Sequence, residues 1–189
     1  MSSVNLNISK DSIATVNFNN DSAKVNTLDK QTLLDLEKII TTITKDKSIK
    51  ALIFTSSKEN NFIAGADIKE IQSISTQKDA LQKVKTGQDI INKISLLNIP
   101  TIAAINGSCM GGGLELALAC DYRVVSDNNK TILALPEVKL GIIPGFGGCI
   151  RLPKLLGLIN SLDLILSGKS VNAKKAYKIG LADKIIRQE

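Results

Sequence analysis

Two carboxylates and two glycine-rich turns stand out as residues that could do chemistry. The apolar run Thr101 to Ile105 ends in a turn, Asn106 to Gly113, that opens directly into a second apolar segment, Leu114 to Cys120. Adjacent glycines let backbone approach a ligand and adopt angles that side chains forbid. The amides just beyond them lie at a helix start, unpaired and at the positive end of its dipole, where they can hold negative charge developing on oxygen. Glu115 places a carboxylate in that same first turn. A second small-residue turn, Phe62-Ile63-Ala64-Gly65-Ala66-Asp67, leads from a strand into a helix that Asp67 is placed to cap. The amides of Ala66 and Gly112 are candidates for the two halves of an oxyanion-binding site. An ordinary capped turn explains the stretch Phe62 to Lys69 equally well.

Glu137 is the second carboxylate, in the run Leu133-Ala134-Leu135-Pro136-Glu137-Val138, which has little other polarity. Two carboxylates facing one cavity couple their titration and suit holding and activating a water. Taken singly, each glutamate is more often structural than catalytic. Glycoside hydrolysis also uses paired carboxylates but gives no reason for amide donors at two turns. The loop Gly141 to Gly148 is too glycine-rich for a core strand and has no assigned role. It fails G-x-G-x-x-G because Ile150 takes the last place, and Gly168-Lys169-Ser170 fails a P-loop because Asp163 stands where glycine is required. Asp121 and Arg123 are read as pairing with each other or with neighbours.

Around these residues, Val4 to Ile8 and Ile13 to Phe18 read as a hairpin turning at Lys10-Asp11. Apolar positions 33, 34, 36, 39, 40 and 43 predict one helix, and 80, 81, 84, 90, 91, 94 and 97 a second, closed by Pro100. Ala51 to Phe54 and Thr101 to Ile105 read as buried strands, Tyr122 to Ser126 and Thr131 to Leu133 as further strands. Helices are expected at about 151–156, 159–166 and 172–178, stopped by Gly157, Gly168 and Gly180. This alternation argues for a single α/β domain over 1–189, with ligands at the carboxyl ends of strands, in the loops Lys58 to Asp67 and Asn106 to Gly113.

Composition narrows the function. With no histidine, His-based triads and most catalytic zinc sites are excluded. Cys109, Cys120 and Cys149 form no C-x-x-C pair and read as small apolar fillers in a reducing compartment. The formal charge of +6 is spread along the chain and is accompanied by only two Tyr, four Phe and no Trp, so a solvated surface is favoured over nucleic-acid binding. No apolar run reaches the roughly 18 residues of a membrane span, and the N-terminus lacks a signal pattern, so a cytoplasmic protein is expected and the sequons at Asn7 and Asn20 carry no weight.

Together the motifs resemble the crotonase superfamily of enoyl-CoA hydratases and isomerases, from about Ile13 to Ile186. Lys24-Val25-Asn26-Thr27-Leu28, Phe62 to Asp67, Gly107 to Gly113 and Pro136-Glu137 are most similar to the N-terminal hydratase region of multifunctional fatty-acid β-oxidation alpha subunits. The resemblance implies an α/β crotonase-like fold of repeated ββα units, with two roughly perpendicular sheets wrapped by helices, assembled as trimers or pairs of trimers. It places the oxyanion amides on Ala66 and Gly112 and the catalytic pair on Glu115 and Glu137. Ala64, Gly65, Asp67, Ile68, Lys69 and Gly111 then line the acyl-CoA, with Lys69 near phosphate. No metal or redox cofactor is implied, since CoA is part of the substrate. The activity implied is hydration of 2-enoyl-CoA; 3,2-enoyl-CoA isomerisation and a catalytically incomplete CoA-binding fragment are the alternatives. Family members continue past Glu189 with further helices, so the chain is expected to be the front of a longer multifunctional protein with a thiolase partner subunit.

Overall fold

The computed structural model describes residues 3–187. The chain opens with the antiparallel hairpin β1 (Val4–Ile8) and β2 (Ile13–Phe18), turned at Ser9 to Ser12. Ala14, Val16 and Phe18 face the core at period two. Helix α1 (Lys30–Lys45) begins where Asp29 accepts from the Thr32 amide at 2.7 Å and buries Leu33, Leu36, Ile40 and Ile43. Strand β3 (Ala51–Ser56) runs parallel to β2.

The remaining elements repeat a pattern. After β3 come β4 (Asn61–Ile63), α2 (Ile68–Gln72) and α3 (Gln77–Ser95). Then come β5 (Thr101–Ile105), β6 (Ser108–Met110) and α4 (Gly112–Ala119). The third unit is β7 (Tyr122–Ser126), β8 (Ile132–Ala134), a 3₁₀ turn at Glu137–Leu140, α5 (Gly148–Leu156) and α6 (Leu158–Ser167). β9 (Val171–Asn172), α7 (Ala173–Lys178) and β10 (Lys184–Ile186) finish the described chain.

Each unit gives its first strand to one sheet and its second to another. The larger sheet has the order β1-β2-β3-β5-β7-β10, the smaller β4-β6-β8-β9. Phe18 ties them together, its ring 6.4 Å from Phe54 in the larger sheet and 6.3 Å from Phe62 in the smaller. Helix α4 is apolar on nearly every side and wholly buried, as suits a central helix.

The short strands β4, β6, β9 and β10 and the helix-like turn at Glu137 are not evident from periodicity. Three residues carry too little pattern, and their pairing is long-range. Their presence corrects the placement of the two loops: the loops leave the ends of β4 and β6, not of β3 and β5 directly. The front of α3 is also looser than its pattern suggests, with Leu81 exposed. Cys109 and Cys120 are buried fillers as expected, whereas Cys149 is exposed on α5, a correction. Asp121 and Arg123 take neighbours: Asp121 accepts from the Thr101 amide and hydroxyl, and the buried Arg123 pairs with Asp183 at 2.9 Å.

Candidate active site

Strands β4, β6 and β8 are parallel neighbours, with Ile63 opposite Cys109 and Cys109 opposite Leu133. Their carboxyl ends therefore share one edge, and the segments leaving the three strands meet there. Ala64 to Asp67 leaves β4, Gly111-Gly112 leaves β6, and Pro136-Glu137 leaves β8. One edge of a four-stranded sheet thus gathers most of the site.

The two small-residue turns touch. A Cβ built on Gly65 would lie 3.3 Å from the Met110 carbonyl oxygen and 3.9 Å from the Gly112 nitrogen. Gly65 has φ +108° and Gly111 φ +49°, so both need glycine's freedom. The first turn is held by the motif Asn26 to Leu28: the Ala64 amide donates to Asn26 O at 2.8 Å, and the Leu28 amide to Gly65 O at 2.8 Å. Asn26 is itself locked by its side chain to Phe18 O, Ser56 Oγ and Phe62 O. Neither the Ala66 nor the Gly112 amide donates to another described residue. Two free donors therefore lie on turns that touch at Gly65 and Gly112.

Asp67 caps α2 as expected, accepting from the Lys69 amide at 2.8 Å. Ile68 and Lys69 are exposed at the rim, whereas Ala64, Gly65 and Gly111 sit inward.

Glu115, 2% exposed, projects from the first turn of α4. Its Oε1 accepts from the Phe146 amide at 2.7 Å and the Gly148 amide at 2.8 Å. The glycine-rich loop, to which the sequence assigns no role, is thus the clasp of this carboxylate. Glycine composition is the only signal that could have found it. Arg151 carries no sequence signal either: it donates to Phe146 O at 2.8 Å and holds the loop closed. Oε2 of Glu115 makes no hydrogen bond to a described residue.

Glu137 opens the 3₁₀ turn and is 8% exposed. Its Oε1 would lie 3.0 Å from a Cβ on Gly111, and its Oε2 is buried without a partner among the described residues. An unpaired buried carboxylate oxygen is costly unless the group is protonated or meets a ligand. Burial accordingly pushes Glu137 above the usual carboxylate range. Burial is also the main cause that raises Glu115 to about 7, aided by the nearby charge of Glu137 and opposed by the Gly148 and Phe146 amides and Arg151. The two carboxyl groups therefore titrate as a coupled pair, both above the usual carboxylate range.

Two unpaired amides beside two buried, coupled carboxyl groups are an arrangement that can stabilise an oxyanion and move protons at an adjacent carbon. The comparisons agree with this class. The enoyl-CoA hydratase/isomerase family profile matches residues 9–189, and the chain belongs to that family. It is 46% identical over 178 residues to a fatty acid oxidation complex subunit alpha of Vibrio parahaemolyticus, covering 94% of this chain and 25% of that one. The chain thus spans about a quarter of that relative's length. Among solved structures it resembles an enoyl-CoA hydratase of Bacillus anthracis, with TM-score 0.91 and 32% identity over 98% of this chain and 70% of that one. An enoyl-CoA hydratase of Thermoplasma volcanium gives TM-score 0.90 and 30% identity, over 98% and 72% respectively. Among the described residues no helix is long and apolar enough to cross a membrane.

Proposed function

We propose that this chain hydrates the 2,3 double bond of enoyl-CoA thioesters in fatty-acid oxidation. The observation that carries the reading is the contact of the Gly65 and Gly111-Gly112 turns, which leaves the Ala66 and Gly112 amides free together. On this reading both donate to the thioester carbonyl oxygen, each lowering the barrier by about 3–4 kcal/mol. The polarised carbonyl makes the β-carbon electrophilic. Glu115, held as carboxylate by two amides, takes a proton from water as the water oxygen bonds to the β-carbon. The double-bond electrons pass to the α-carbon, forming the thioester enolate. The Glu115–Glu137 pair then supplies a proton to the α-carbon, so one water is added and the pair ends with as many protons as it began. CoA belongs to the substrate, and the chemistry calls for carboxylates and amides alone.

Ala64, Gly65, Asp67, Ile68, Lys69 and Gly111 would line the acyl-CoA, with Lys69 at the rim facing phosphate. Assembly as a trimer, with a thiolase subunit in the longer protein, is supported by the relative's name as a complex subunit and by apolar exposure at Ile143, Leu158, Ile159 and Leu166. Three free thiols suit a reducing cytoplasm.

A hydration assay with crotonyl-CoA tests the reading. Wild-type protein should consume the double bond, and Glu115→Gln should cut the rate by a few orders of magnitude while acyl-CoA still binds. Undiminished hydration by the variant would remove Glu115 from the mechanism. Turnover confined to 3-enoyl-CoA would make the protein an isomerase instead.

A further inference from the structure

The clasp on Glu115 is itself held from outside the site. Gln88 on α3 donates from Nε2 to Gly145 O at 2.7 Å. One helical turn on, Asn92 Oδ1 accepts from Arg151 Nη2 at 2.5 Å, while Arg151 Nη1 reaches Phe146 O. The Phe146 ring fills the space beside Gly87: a Cβ there would fall 2.2 Å from Phe146 Cε1. Its other edge faces Gly112, whose added Cβ would be 3.2 Å from Phe146 Cδ2. Gly147 leaves room for the guanidinium, since a Cβ would sit 2.1 Å from Arg151 Nη1. Positions 88 and 92 lie four apart, on one face of α3, so a single helix surface grips the loop at Gly145 and, through Arg151, at Phe146.

We propose that Gln88 and Asn92 of α3, acting through Arg151 and the 145–148 loop, are positioning residues that aim Glu115 at the reacting carbon. None of the three touches the glutamate side chain by hydrogen bond; all act on the two amides that do. The inference rests on the hydratase reading for its kinetic arm only. Glu137 and Arg151 act electrostatically on Glu115, and Cys149 on α5 feels both carboxylates. On α3, Lys83 pairs with Asp79, Lys85 with Asp89 and Lys93 with Glu37.

The test combines kinetics with carbon-13 NMR of glutamate carboxyls on the whole chain. Its six glutamates give few signals, and Glu115→Gln assigns one. Gln88→Ala/Asn92→Ala should lower kcat about ten-fold or more, the loss of roughly two hydrogen bonds, with KM within about two-fold. Arg151→Met should raise the Glu115 titration by about half a pH unit or more, whereas Arg151→Lys, which keeps the charge but not the fork, should restore the titration and not the rate. Wild-type kcat in the α3 double variant, with an unmoved pH profile, would overturn the proposal. If the double variant fails to fold by circular dichroism, the Arg151 pair decides: equal rates and equal titrations in Met and Lys variants also overturn it. Should wild-type protein lack hydration altogether, the hydratase reading falls, and the Glu115 titration in Gln88→Ala/Asn92→Ala judges the positioning, an unmoved titration overturning it.

Discussion

The Gly148 amide nitrogen stands 2.8 Å from Glu115 Oε1, joining the first turn of α4 to the first turn of α5. A carboxylate that burial would neutralise is thereby kept ionisable near neutral pH. If Glu115 must be ionised to accept a proton from water, kcat/KM for hydration should fall on the acid side with an apparent pKa of about 7. A pH–rate profile checks this. An acid limb near 4.5 would mean that the acting base lies in ordinary solvent.

The same displacement predicts how stability depends on pH. The folded state holds the Glu115 proton up to about 7, against 4.5 for the free side chain. The stabilisation is therefore complete below about 4.5 and is lost as pH rises through about 7, amounting to about 3 kcal/mol. Glu137, raised in the same direction, adds to the trend. Glu115→Gln removes this dependence while keeping an oxygen for both amides. Its melting temperature should exceed wild type at pH 8, with the difference shrinking toward pH 5. A difference independent of pH would contradict the assignment.

Gly65→Ala should separate binding geometry from fold. With φ at +108°, the alanine costs about 1–3 kcal/mol in strain. Its methyl would project between the turns, 3.9 Å from Gly112 N. Hydration should drop by about 100-fold or more, the scale of losing one oxyanion donor, in protein that still melts cooperatively. Calorimetry beside the assay distinguishes this from simple unfolding.

Asn26→Ala should act on stability first. Its side chain serves Phe18 O, Ser56 Oγ and Phe62 O in a buried setting, and its own amide meets Asn61 Oδ1 at 2.8 Å. Removing it leaves carbonyls without partners, at about 2–4 kcal/mol in total. Chemical denaturation measures the loss; a change under about 0.5 kcal/mol would show that water replaces the side chain.

Much of this was legible in the sequence because the relevant signals are local. Helical stripes such as Leu33 to Ile43 and the alternation of Ile13 to Phe18 declare their elements in one pass. The unpaired amides at Ala66 and Gly112 are expected from small residues before helix starts. What stayed hidden depends on distant pairing. β4 and β6 are three residues each and exist through one another, and nothing in Gly145 to Gly148 names Glu115, some thirty residues earlier, as its ligand. The isolation of Glu137 was visible as a carboxylate among apolar residues, but its orphaned Oε2 required the fold.

The most direct measurement is a crystal structure with an unreactive acyl-CoA analogue bound. The thioester oxygen should lie within about 3 Å of both Ala66 N and Gly112 N, with the β-carbon between Glu115 and Glu137. An oxygen in reach of only one of those nitrogens, or an acyl chain directed away from the two glutamates, would contradict the account.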